Sequence, residues 1–267
     1  MTDTTAVHRA LEHVVEEQAR IVDRDAALET FARRVRAVPA AQPTSIQSRQ
    51  AAMPTATATQ AIQGRGPAPS TSADRCRTVR TAFDETVGSH STGDCADESQ
   101  VETMAAMLTE DIAVALATDA GWTPPLKAAV LEAVSTRRRE LTVQAELFQQ
   151  EQSTLEAAIT EIDEIVDWLQ ATADESFLQH GFDSLQAKHE QLETYRDRLE
   201  TRLSRRQAQL TGSTDRDGPS GRRYRSVVES IYVGGSAQYP LLSTMTRLYD
   251  VCTGCQRAVR AQLTRRV

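Results

Sequence analysis

Six apolar residues recur at intervals of seven through the middle of the chain: Val134, Leu141, Phe148, Leu155, Ile162 and Leu169. A strand repeats every two residues, so an unbroken seven-residue stripe fits one arrangement, a long helix lying along another helix. The stripe predicts a single helix from Leu126 to Ala171. A second run, Phe182, Leu185, His189, Leu192, Arg196, Leu199, Leu203, Arg206 and Leu210, alternates steps of three and four and predicts a helix over 182–210. Only residues 172–181 connect the two, and so short a link makes its helices antiparallel neighbours. The expected fold is all-α: a long antiparallel helical hairpin, a coiled coil over 126–212, with additional packed helices.

The second seam position of the central helix is read as Leu131, Arg138, Ala145, Gln152, Ile159 and Val166. Polar seam residues (Arg138, Gln152, His189, Arg196 and Arg206) fix register if they are buried and paired. They cost less if their stems lie on apolar surface and their heads reach solvent. The second reading is preferred here. The first turns of the central helix, near Leu126–Arg138, extend past its hairpin partner and need another surface.

The flanking segments follow the same logic. Val7, Val14, Ile21, Leu28 and Val35 form another stripe of sevens, which predicts an amphipathic helix within 1–37. Residues 38–73 carry Pro39, Pro43, Pro54, Pro67 and Pro69 among Ala, Thr, Ser and Gln, and read as a flexible linker. The first helix is then tethered to a helical domain over 74–267. In that domain 74–88 and 98–118 read as helices, and Thr123-Pro124-Pro125 as the cap and first turn of the central one. Residues 222–233 read as a short helix, and 240–267 as a C-terminal helix. A scarcity of aromatic residues, 4%, fits helices better than a large sheet protein.

The formal charge is −7, and of the 30 basic residues only Lys127 and Lys188 are lysines. That bias suggests a GC-rich genome and a salt-loving host. No apolar run reaches the length of a membrane span, and the start of the chain lacks the pattern of a signal peptide. Four cysteines without an export signal suggest a reduced, cytoplasmic setting.

The sharpest chemical motif is the pair Cys252 and Cys255, two residues apart. With Cys76 and Cys95, and His90 nearby, the pair could complete a zinc site that stabilises a regulatory protein. Redox exchange would need a strand before the motif, and none is expected. Both cysteines also fall on the apolar stripe of the last helix, where they act as small buried hydrophobes. Gly254 inside that helix suggests close helix approach or a local break. Eleven arginines give residues 203–267 a net charge of +7. Arg222, Arg223, Arg225, Arg257, Arg260, Arg265 and Arg266 could make a weak phosphate-binding patch for nucleic acid, or simply meet acidic surface of the same protein. No P-loop, GxGxxG or HExxH motif is present, and no catalytic constellation is expected.

The segments DRCRTVRTAFDETVGSHS, KHEQLETYRDRLE and YPLLSTMTRLYDVCTGCQRAVRAQLTRR resemble a family of haloarchaeal proteins of unknown function, over most of the chain outside 38–73. The resemblance implies a cytoplasmic protein of a salt-loving host and carries over no functional residue. The sequence thus leads to a coiled-coil interaction or scaffolding protein without catalytic activity. It would bind a protein partner or a second copy of itself, with the zinc and nucleic-acid readings as alternatives.

Overall fold

The computed structural model describes residues 5–41, 72–88, 100–118, 121–173, 181–212, 224–233 and 238–265. Among them the fold is all-α, with α1 (Ala6–Ala37), α2 (Ser72–Thr86), α3 (Gln100–Met107), α4 (Glu110–Ala117), α5 (Pro124–Ala173), α6 (Phe182–Gly212), α7 (Tyr224–Ile231) and α8 (Pro240–Thr264). Most of the expected linker, Cys95 and His90 lie outside the described residues. The chain divides into two compact units, Val22–Leu141 and Met1–Ile21 with Thr142–Val267.

In the unit Val22–Leu141, α1 and α5 run antiparallel. The Arg138 guanidinium donates from Nε and Nη2 to the two oxygens of Asp25 at 2.8 and 2.9 Å. Eleven residues back along α5, Lys127 donates to the carbonyls of Arg36 and Val38, both at 2.7 Å. An ammonium there satisfies backbone acceptors left over at the end of α1 and opposes the negative end of its dipole. The early turns of α5 therefore meet their surface within the same chain. Val130 and Val134 are buried, as are Leu28, Phe31 and Val35 of α1.

Helix α2 contributes Cys76, Val79 and Phe83 to this core, all fully buried. The Phe83 and Phe31 rings meet edge to face, centroids 5.5 Å apart, the arrangement that aromatic quadrupoles favour. The single helix expected over 98–118 is two. Thr109 ends it by accepting the Ile112 N–H on its hydroxyl, and Glu110 and Asp111 follow in the first turn of α4. A threonine cap followed by two carboxylates is a helix start, and it outweighs the apolar period that runs through it.

Trp122 is fully buried in the same unit. Its backbone N–H donates to Ser72 Oγ at 2.7 Å, its carbonyl accepts the Ala41 N–H at 2.8 Å, and its indole N–H reaches the Val38 carbonyl at 3.3 Å. Gly121 enters this position at φ +106°, where a side chain would be strained. α5 then starts as expected, with Leu126 N–H on the Thr123 hydroxyl at 3.4 Å and proline in the first turn.

The other unit is built from the start of α1, the remainder of α5, and α6, α7 and α8. α5 and α6 form the expected antiparallel hairpin: Arg198 reaches Glu161 and Glu164, Arg202 reaches Glu161, and Arg206 reaches Glu151. α8 lies antiparallel on α6. Arg196 donates to Gln256 Oε1 at 2.7 Å and to the Tyr249 hydroxyl at 2.9 Å, and His189 comes near Arg260. The core holds Val7 and Val14 of α1, Phe148, Leu155, Ile162 and Ile165 of α5, Leu185, Leu192 and Leu199 of α6, and Met245 and Cys252 of α8. Each large aliphatic side chain buried in this way contributes about 1.5–3 kcal/mol.

Two seam readings change. The stripe from Val134 to Ile162 is buried, but its companion row sits one residue earlier than expected. Leu131, Ala145, Ile159 and Val166 are half-buried, whereas Val130, Glu151, Ala158 and Ile165 are buried. The polar seam residues also do not all send their heads to solvent. Arg206 is 3% exposed, and Arg138 and Arg196 are held by partners on neighbouring helices. Gln152 does face outward, bonded to Glu156 on its own helix.

Candidate functional site

The three described cysteines fall in different compact units. Cys76 belongs to the unit Val22–Leu141, and Cys252 and Cys255 to the other. Cys252 is fully buried on the inner face of α8, where burial, with Cys255 beside it, pushes its thiol up to about 11. Cys255 is half-buried. Among the described residues, no group of three or more His, Cys, Asp or Glu side chains is arranged to hold a metal ion, and Cys95 lies outside them. α8 runs through Gly254 unbroken, and a Cβ there would meet nothing within 4 Å. Gly254 therefore marks neither a break nor a close approach.

The C-terminal arginines divide. Arg206 is consumed inside the fold, Arg225 pairs with Glu229 at 2.9 Å, and Arg257 and Arg260 on α8 and Arg265 at its C-cap are exposed. Arg222, Arg223 and Arg266 lie outside the described residues. No helix is long and apolar enough to cross a membrane among the described residues.

The strongest polar constellation was not singled out from the sequence. Glu151, fully buried, accepts Arg206 Nη2 and the Tyr232 hydroxyl on Oε1, both at 2.7 Å. Its Oε2 accepts Arg206 Nη1 at 2.8 Å and the Tyr224 hydroxyl at 2.5 Å. Burial holds both tyrosine pKa values above their ordinary range, and the Glu151 charge adds to it. Burial also opposes the charge on Arg206, but Glu151 more than offsets this and its pKa stays raised. With every carboxylate lone pair occupied, the cluster has nothing left to offer a substrate. It is a structural clasp that draws α7 onto α5 and α6. Its row of sevens, Val130, Arg137, Gln144, Glu151, Ala158 and Ile165, carries no local sign of the cluster.

Open grooves lie in the unit Val22–Leu141. A groove of about 660 Å³ runs between the α3–α4 corner and α5. Ala106, Met107, Leu108, Ala129 and Ala133 give it an apolar lining. Asp111, Glu132 and Glu140 stand along it, with Arg137 neutralising Glu140 at 2.8 Å. A larger cleft of about 770 Å³ between the end of α1 and α2 is crossed by the chain's own Arg34–Glu85 pair.

No curated protein and no solved structure matches this chain. A family model does: the one described as Domain of unknown function (DUF7260) matches residues 5–256. That span takes in α1 to α7 and most of α8, so it covers both compact units. The chain belongs to the DUF7260 family.

Proposed function

We propose that the chain is a helical interaction or scaffolding protein without catalytic activity, acting in the cytoplasm of a salt-loving host. Its partner is a basic amphipathic helix laid into the groove between α3–α4 and α5. The observation that carries this reading is the groove itself: an apolar lining of helix-packing size with Asp111 and the exposed Glu132 along it. Helix-in-groove recognition needs those two elements, an apolar trough for the anchors and flanking charge that sets orientation.

Glu132 sits beside Arg139 only at 3.7 Å, with both side chains largely exposed, so it keeps most of its field for a partner. The lysine-poor, acidic composition supports the host, and the four cysteines support a reduced compartment.

The test is affinity capture at high salt with the wild-type chain and with Ala129→Arg. Ala129 is exposed on α5 and lines the groove, so the arginine blocks it without disturbing the core. A stoichiometric partner lost in Ala129→Arg supports the reading. Recovery of the chain alone, or of a partner indifferent to the substitution, refutes it.

A further inference from the structure

A second cleft, of about 470 Å³, opens between α5 and α6 in the other unit. Arg202, Arg205 and Arg206 line it from α6, Gln150 from α5 and Leu241 from the start of α8, and no carboxylate is among the described lining residues. The acids that pair with the α6 arginines are already engaged. Glu151 is saturated by Arg206 and two tyrosines, and Glu161 accepts Nε of both Arg198 and Arg202 at 3.1 and 2.8 Å. Glu164 accepts two bonds from Arg198, both at 2.9 Å. Of the three arginines at the cleft, Arg202 and Arg206 are paired with these acids and Arg205 is not. It makes no hydrogen bond or ion pair among the described residues.

An unpaired guanidinium at a cleft wall, beside a second guanidinium only partly committed, offers forked donors to a tetrahedral oxyanion. The wall behind is formed by Arg206, whose charge is balanced by Glu151, so the positive charge at the cleft comes from Arg205 and from Arg202, whose carboxylate partner Glu161 is shared with Arg198. The volume falls in the range of small-molecule sites and exceeds what a lone inorganic anion fills.

We propose that this cleft binds a phosphate-bearing small molecule through Arg205 and Arg202, with the Gln150 amide as a further donor. The inference is independent of the groove reading and stands or falls separately.

Inorganic pyrophosphate is the probe, titrated into the full chain at low ionic strength and followed by amide NMR shifts. Saturable shifts confined to 150–157 and 202–209, weakened about tenfold or more by Arg205→Gln, support the site. Arg205 is exposed, so this variant keeps the fold. Arg247→Gln, an exposed α8 control, should bind as the wild type does. Absence of saturable shifts, equal binding by Arg205→Gln, equal weakening by Arg247→Gln, or binding of duplex DNA without pyrophosphate would overturn it.

Discussion

Replacing Glu151 by glutamine tests the clasp most directly. The carboxylate accepts four hydrogen bonds between 2.5 and 2.8 Å. The amide keeps one acceptor oxygen and turns the other position into a donor facing the Arg206 fork. The tyrosine hydroxyls can rotate to accept, so the irreparable loss is on the arginine side. At about 1.5–3 kcal/mol per hydrogen bond to a charged group, and with Arg206 left buried and unpaired, the cost is about 3–5 kcal/mol. With a urea slope of about 2 kcal/mol/M, the midpoint falls by roughly 2 M. The two tryptophans make the assay local, because Trp122 lies in one unit and Trp168, edge to face with Tyr195, in the other. Glu151→Gln combined with Trp122→Phe reports the clasp unit alone. The variant Glu151→Leu/Arg206→Met/Tyr224→Phe/Tyr232→Phe removes every polar member together and should recover most of the loss. A Glu151→Gln cost below about 1 kcal/mol at Trp168 would refute the claim that this pair is desolvated.

Three further outcomes follow. The raised folded-state pKa values of Tyr224 and Tyr232 contribute stability that is complete below the unfolded value of about 10. Above it that stability is lost, at about 1.4 kcal/mol per pH unit for each tyrosine. Cys252, raised to about 11, starts the decline near pH 9, so Cys252→Ala should delay its onset to about 10 in denaturation at stepped pH. Arg138→Gln, despite a bidentate bond to Asp25, should cost only about 1 kcal/mol or less and lose its effect in salt, because both side chains are 34% exposed. Gly254→Ala should raise the melting temperature through about 0.5–1 kcal/mol of helix propensity, since its Cβ enters open space.

The seven-residue stripes were legible because they are made of residues whose burial needs no partner but another apolar surface. Val7 to Val35 and Val134 to Ile162 are buried as expected. The companion row was not legible. Hydropathy favours Leu131, Ile159 and Val166 over the row containing Glu151, yet Glu151 is the one inside. Its burial depends on Arg206, Tyr224 and Tyr232, which lie 55, 73 and 81 residues away. No local window holds that information, and reading Arg206 alone made an outward head seem the cheaper solution. The α3–α4 corner was missed for the opposite reason. Its signal is wholly local, a threonine cap before two acids, and was overruled by a longer period. The groove depends on that corner and so was missed with it.

Trp122 has a consequence for how this chain tolerates change in length. Its carbonyl holds Ala41 and its N–H holds Ser72, so the ends flanking residues 42–71 are held by the backbone of a single residue. A shorter bridge from Ala41 to Ser72 would find both its ends already held. By loop-closure entropy alone, closing about eight flexible residues costs roughly 1 kcal/mol less than closing thirty. The same address would accept a foreign domain whose own termini lie close together, held on the protein by the hydrogen bonds of one buried indole residue.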